Sequence, residues 1–209
     1  VGEKTYQTLR NLGVRRIQTL QEMPLEMMQS VMGKHGAVIW HKAQGVDQSP
    51  VVPYQERKSI STERTFAKDT IDVVKLEGII VAMTENLAYQ LRRGDKLTSC
   101  ITVKIRYSDF NTHTLQARIP YTAADHLLIP KVKELFQKLF ERRLLVRLVG
   151  VRFSHLVGGG YQMNLFEESE ELSKLYSAMD HIRQRFGDRL VLRAVSLGAK
   201  TIGRTNPFN

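Results

Sequence analysis

The chain has 209 residues, room for one large domain or two small ones, with 31 Lys and Arg against 21 Asp and Glu and a formal net charge of +10. That balance favours an anionic partner, nucleic acid before an acidic membrane surface. A single cysteine, Cys100, excludes an internal disulfide and a Cys-based zinc site.

Residues 1 to about 50 read as short helices broken by glycines. Tyr6, Leu9 and Leu12 lie at helical spacing, and Gly13 ends that helix in the left-handed position. Ile17, Leu20 and Met23 form a second stripe that stops at Pro24, and Leu25, Met28 and Met32 a third that stops near Gly33. Gly36 to Gly45, with Val38, Ile39 and Trp40, is a fourth piece. Val46 to Tyr54 contains Pro50 and Pro53, has no periodicity and reads as an extended linker.

Lys58 to Ala67 is rich in β-formers and predicts a strand. Leu76, Ile79, Ile80, Met83, Leu87 and Leu91 mark a long amphipathic helix closed by Arg92, Arg93 and Gly94. Lys96 to Tyr121 reads as two long antiparallel strands joined by a polar turn at Ser108–Thr112. Successive strand side chains point to opposite faces, so Ile101, Val103, Ile105 and Tyr107 share one face with Leu115, Ala117 and Ile119. The other face collects Thr102, Lys104, Arg106, Thr114, Gln116 and Arg118, with no acid at those positions; Cys100 falls beside them as a spectator. A flat cationic surface of this kind suits a phosphate backbone. Val132, Leu135, Phe136, Leu139 and Phe140 form another helical stripe with Pro130 in its first turn, and Leu144 to Ser154 predicts a last strand. In that strand Arg147 and Arg152 have opposite parity; a bulge at Gly150 would bring both onto the open face.

Beyond it come a glycine-rich loop, Val157 to Gln162, and an acidic run, Glu167, Glu168, Glu170 and Glu171. A helix follows, with Leu172, Leu175, Met179, Ile182 and Phe186 in register and Gly187 at its end; Leu190 to Val195 reads as a short strand and Thr201 to Asn209 as a loose tail. The fold class expected is α+β. Small helices precede a strand–helix–strand–strand–helix–strand domain, in which two helices cover one face of a four-stranded antiparallel sheet. No apolar run approaches the roughly 20 residues of a membrane span and no signal peptide is visible, so a cytoplasmic location without membrane partners is expected. The six histidines lack metal-ligand spacing, Gly158-Gly159-Gly160 lacks the Gly-Lys-Ser/Thr of a phosphate loop, and strand polarity and helix capping account for Glu63, Asp69 and Asp72. No catalytic or metal site is assigned.

KSISTERTF at 58–66, LRRGDKLTSCITVKIRYSDF at 91–110 and VRLVGVRFSHL at 146–156 resemble the little-finger domain of Y-family lesion-bypass DNA polymerases, in particular the DNA polymerase IV branch. VGEKTYQTLRNLGV is similar to the second half of that family's thumb helix–hairpin–helix, and GKHGAVIWHKAQGVD to the thumb's closing helix. The resemblance implies a thumb portion over residues 1–50, a linker over 51–57, a little finger over 58–156 and a C-terminal extension over 157–209. It also implies a parent nucleotidyltransferase whose palm carboxylates hold Mg2+. Those motifs, an Asp-x-Asp-type strand and a Ser-x-Asp-Glu turn, are not in these residues, so this chain is expected to grip DNA without extending it, and no cofactor is assigned to it.

The partners implied are duplex template–primer DNA and the bacterial sliding clamp. Gly2, Glu3 and Lys4 would point backbone N–H groups at a phosphate, and Lys58, Ser59, Lys104, Arg106, Arg118, Arg147 and Arg152 are the candidate backbone contacts on the sheet. Gln162-Met163-Asn164-Leu165-Phe166 resembles the Gln-Leu-x-Leu-Phe pentapeptide that binds the clamp, with Gln162, Met163, Leu165 and Phe166 as its contacts. The same element order also describes the RNA-recognition fold, so an RNA-binding module is the second reading. That fold stacks bases on exposed sheet aromatics, and the expected open-face positions of the two central strands hold none.

Overall fold

The computed structural model describes residues 1–52, 56–140, 144–158, 170–187, 190–197 and 199. They form two compact units, Val1–Gln55 and Glu56–Asn209.

The first unit has three helices, α1 (Glu3–Asn11), α2 (Ile17–Glu22) and α3 (Leu25–Ala43). Gly13, at φ +82°, ends α1 as expected, and the Gly13 N–H donates back to the Arg10 carbonyl at 3.0 Å. The expected gap between the third and fourth pieces is smaller than the sequence suggested. α3 runs across it, interrupted only at Gly33, whose φ of 60° and ψ of −145° suit glycine alone. This kink folds the second half of α3 back toward the first, around a core of Leu9, Val14, Leu20, Met28 and Ile39. Gly36 sits where the halves meet: a Cβ there would lie 2.1 Å from the Met28 carbonyl oxygen. Gly36→Ala is therefore expected to destabilise this unit by about 1–3 kcal/mol, the usual cost of overpacking against backbone. Trp40, the only tryptophan, donates its indole N–H to the Met23 carbonyl at 2.8 Å, so its fluorescence follows this unfolding directly.

The second unit is built from β1 (Ser59–Thr70), α4 (Val73–Arg93), β2 (Lys96–Tyr107), β3 (Thr112–Thr122), α5 (Asp125–Leu139) and β4 (Val146–Ser154). The strands lie in the order β1-β4-β2-β3, all antiparallel. A fifth strand, β5 (Val157–Gly158), lies in the stretch expected to be a loop and pairs with Lys96 and Leu97. Ile101, Val103, Ile105, Tyr107, Val149, Val151 and Phe153 are fully buried against α4 and α5, which supply Leu76, Ile79, Met83, Leu128, Val132 and Phe136 to the same core. Asp72 caps α4, accepting from the Lys75 N–H at 3.0 Å.

α4 is not simply amphipathic. From Leu76 to Leu91 nearly every residue is buried, Thr84, Glu85 and Tyr89 included. The added cover comes from the C-terminal segment, α6 (Glu170–Phe186) and a 3-10 turn at Ala194–Ser196 that replaces the strand expected at Leu190 to Val195. A Cβ on Gly78 would lie 2.6 Å from the Val195 carbonyl oxygen, so backbone meets helix there. α6 docks on its polar face. Tyr176 and Arg183 are buried, while Leu175, Ile182 and Phe186, expected on the packing side, are exposed.

The docked face is a charge cluster. The Arg92 guanidinium donates to both Asp180 oxygens at 2.6 and 2.9 Å, to Asp125 at 2.7 Å and to the Ala123 carbonyl at 2.8 Å, with Tyr176 stacked 5.0 Å away. Glu85 accepts from the Ser196 hydroxyl at 3.1 Å and lies 3.2 Å from Arg193. Burial pushes the Glu85 carboxyl up from its ordinary 4.5, with Ser196, Arg183 and Arg193 opposing. Burial works against the Arg92 charge, but its two aspartates more than offset that and raise it further.

Candidate nucleic-acid interface

The strand register arranges the open side of the sheet in rows. Across β1, β4, β2 and β3 they read Ser59–Ser154–Cys100–Arg118, then Ser61–Arg152–Thr102–Gln116, then Glu63–Gly150–Lys104–Thr114, then Thr65–Leu148–Arg106–Thr112. Alternation fixes this: each named residue is two positions from the next in its strand, so all point away from the buried valines and isoleucines. Of the sequence candidates, Ser59, Lys104, Arg106, Arg118 and Arg152 come together here. Lys58 is exposed and precedes β1 directly. None of the row positions is aromatic, so the face has charge and hydroxyls but no platform for base stacking. Cys100 belongs to the first row yet is buried.

The third row differs from the sequence expectation. Glu63 lies on the open face and its carboxylate accepts a hydrogen bond from the Lys104 ammonium. Parity could have found it, since Glu63 stands four residues from Ser59 in one strand. Gly150 makes the pair possible. A Cβ at that position would sit 2.7 Å from the Glu63 Cγ, so only a glycine lets Glu63 cross β4 toward β2. No bulge occurs at Gly150: the pairing of β4 with β2 is continuous from Leu148 to Ser154. The irregularity falls at Arg147, between Val146 and Leu148. Arg147 stands at that irregularity, outside the four rows, 4.6 Å over the Phe110 ring and 3.7 Å from Asp69.

The four cations on the face are therefore unequal. Arg118 and Arg152 are exposed and have no acidic partner among the described residues. Arg106, half-buried, donates from Nε to the Thr112 hydroxyl at 2.8 Å and has no acidic partner among the described residues. Lys104 is neutralised locally by Glu63. Such a face offers point charges and hydroxyl donors at strand spacing, which suits oxygens of a polyanion.

Gly2 and Lys4 belong to the other unit. Gly2 is the N-cap of α1 with no side-chain cap, so the first amides of the helix, including that of Lys4, face outward. Gln162, Met163, Leu165 and Phe166 lie outside the described residues. Among the described residues, no three His, Cys, Asp or Glu gather in a way that could hold a metal, and no helix is long and apolar enough to cross a membrane.

Residues 57–165 match the model of the impB/mucB/samB family C-terminal domain. The chain is 32% identical over 195 residues to a DNA polymerase IV of Dehalococcoides mccartyi, covering 90% of this chain and 48% of that protein. It is 30% identical over 202 residues to DNA polymerase IV of Clostridium acetobutylicum, covering 94% and 51%. With DNA polymerase IV 2 of Methanosarcina mazei the identity is 33% over 156 residues, covering 75% and 42%. The chain thus spans about half the length of the curated relatives it matches.

Proposed function

Because the chain belongs to the impB/mucB/samB family and carries the C-terminal region of a Y-family polymerase of the DNA polymerase IV type, we propose that its second unit grips template–primer duplex through backbone phosphates on the open sheet face. The observation that carries this reading is the four-row face, with Arg106, Arg118 and Arg152 among its positions and no aromatic. Phosphate contact of this kind fixes position without reading sequence, which a polymerase facing a damaged base requires. The α1 amides at Gly2 and Lys4 would add a phosphate contact from the first unit.

The parent protein in this proposal is a DNA-directed DNA polymerase acting in translesion synthesis and DNA repair in the cytoplasm. Two Mg2+ ions would sit on its palm, whose carboxylate motifs are not in these 209 residues. The chain alone is then inactive as a polymerase, and the segment at 162–166 recruits the sliding clamp. A competition experiment tests the gripping role. Labelled primer–template bound to the chain is expected to be displaced by unlabelled duplex of any sequence, and far less well by single-stranded RNA of equal length. Preferential displacement by the RNA would overturn the reading.

A further inference from the structure

Glu63 is the only acid in the four rows of the open face, and three strands are arranged around it. It stands on β1 opposite Gly150 on β4, and Gly150 stands opposite Lys104 on β2. Neighbouring strands lie about 4.8 Å apart, so the two backbones are about 10 Å apart with a whole strand between them. The side chains meet across that strand because Gly150 has none: a Cβ there would lie 2.7 Å from the Glu63 Cγ. The rows on either side carry Arg152 and Arg106, which puts the carboxylate in the middle of the cations.

Stability does not account for this arrangement. The Glu63 and Lys104 side chains are 41% and 33% exposed, and an ion pair so open to water contributes little to folding. A glycine inside a central strand weakens it, through backbone entropy and through the side chain it withholds from packing. We propose that Glu63 occupies the phosphate site of Lys104 and so limits how tightly the open face holds duplex. This rests on the assignment of that face to DNA. A carboxylate and a phosphate offer an ammonium the same chemistry, anionic oxygens that accept its hydrogen bonds. A phosphate arriving at the third row must displace the carboxylate or lie beside a like charge, and either cancels most of what Lys104 offers. The duplex is then held from the flanking rows, by Arg118 and Arg152 on one side and Arg106 on the other, and the middle of the face stays slack. Contacts that are few and readily broken suit a polyanion that must advance along the face.

Salt titration of duplex binding by the full chain tests this through Glu63→Gln, which keeps the shape of the side chain and removes its charge. The variant is expected to bind duplex more tightly, with a log–log slope steeper by roughly 0.9, so that a fourfold rise in salt weakens it roughly 3.5-fold more than the wild type. Lys104→Ala is expected to abolish this gain in the Glu63→Gln background while changing the wild type far less. Glu134→Gln makes the same change in net charge on α5, across the sheet from the rows, and is expected to leave the slope unaltered. A Glu63→Gln chain with the wild-type slope, or with weaker binding, would overturn the proposal. So would a Lys104→Ala effect equal in both backgrounds, or a Glu134→Gln effect equal to that of Glu63→Gln, because net charge alone would then suffice. A null result for Glu63→Gln beside a flattened slope for Arg106→Ala/Arg118→Ala/Arg152→Ala removes the role of Glu63 and leaves the face to DNA; an unflattened slope removes both.

Discussion

Replacing Arg92 with alanine is expected to destabilise the second unit by about 3–5 kcal/mol, the cost of leaving a buried charge without its partner. Asp125 is fully buried and accepts from Arg92 at 2.7 Å; among the described residues its other oxygen has only Arg193, 3.8 Å away and partly in solvent. Removing Arg92 also frees Asp180, and with it the bidentate contact that holds α6 to α4. Protection of α6 amides from hydrogen exchange is therefore expected to fall more than that of the sheet. The surface pair Lys138–Glu134 gives the contrast. It is shorter in sequence, exposed and screened, and Lys138→Ala is expected to cost less than about 0.5 kcal/mol. Denaturant unfolding of the two variants checks both values. A loss below about 1 kcal/mol for Arg92→Ala would show that water replaces the guanidinium without difficulty.

Replacing Leu165 and Phe166 together with alanine is expected to cost on the order of 2–4 kcal/mol in binding to the sliding clamp, the range for two neighbouring apolar anchors in a binding pocket. In the proposed clamp complex Gln162 would orient the segment by hydrogen bonds, and Met163 in place of leucine would conserve volume. In the sequence the segment falls between β5, which ends at Gly158, and α6, which begins at Glu170. Five residues would bind loosely by themselves; in the proposed assembly, tethering to a unit on DNA would raise their effective concentration. Duplex affinity and thermal stability are expected to stay unchanged. Calorimetric titration with clamp decides it: equal affinities, or a variant that unfolds, would mean that the two side chains pack against the chain itself.

What the sequence made legible was periodic. Alternation in β2 and β3 gave the buried and open faces residue by residue, and the stripes of α4 and α5 gave the helical side of the core. What escaped were contacts with no period. Arg92 read as a cation closing a helix, because its partners Asp125 and Asp180 are 33 and 88 residues away. The apolar register of α6 pointed to a packing face, but a charge cluster already occupied that side of α4 and turned the stripe outward. Gly150 suggested a bulge by parity alone; the space it leaves is for Glu63, a residue on a strand whose neighbour in the sheet is not its neighbour in the chain. The true irregularity at Arg147 carries no glycine and no sequence mark. At the candidate site, alternation found the cations, but the neutralisation of Lys104 needed the order β1-β4-β2.

That difference among the cations yields the most direct test of the open face. The logarithm of the duplex binding constant, plotted against the logarithm of salt concentration, has a slope of roughly −0.9 for each phosphate neutralised. The triple variant Arg106→Ala/Arg118→Ala/Arg152→Ala is expected to flatten that slope by roughly 0.9 for each contact removed. Lys104→Ala, whose ammonium already serves Glu63, is expected to change it much less. A triple variant that binds duplex with the wild-type slope would contradict the assignment of this face to DNA.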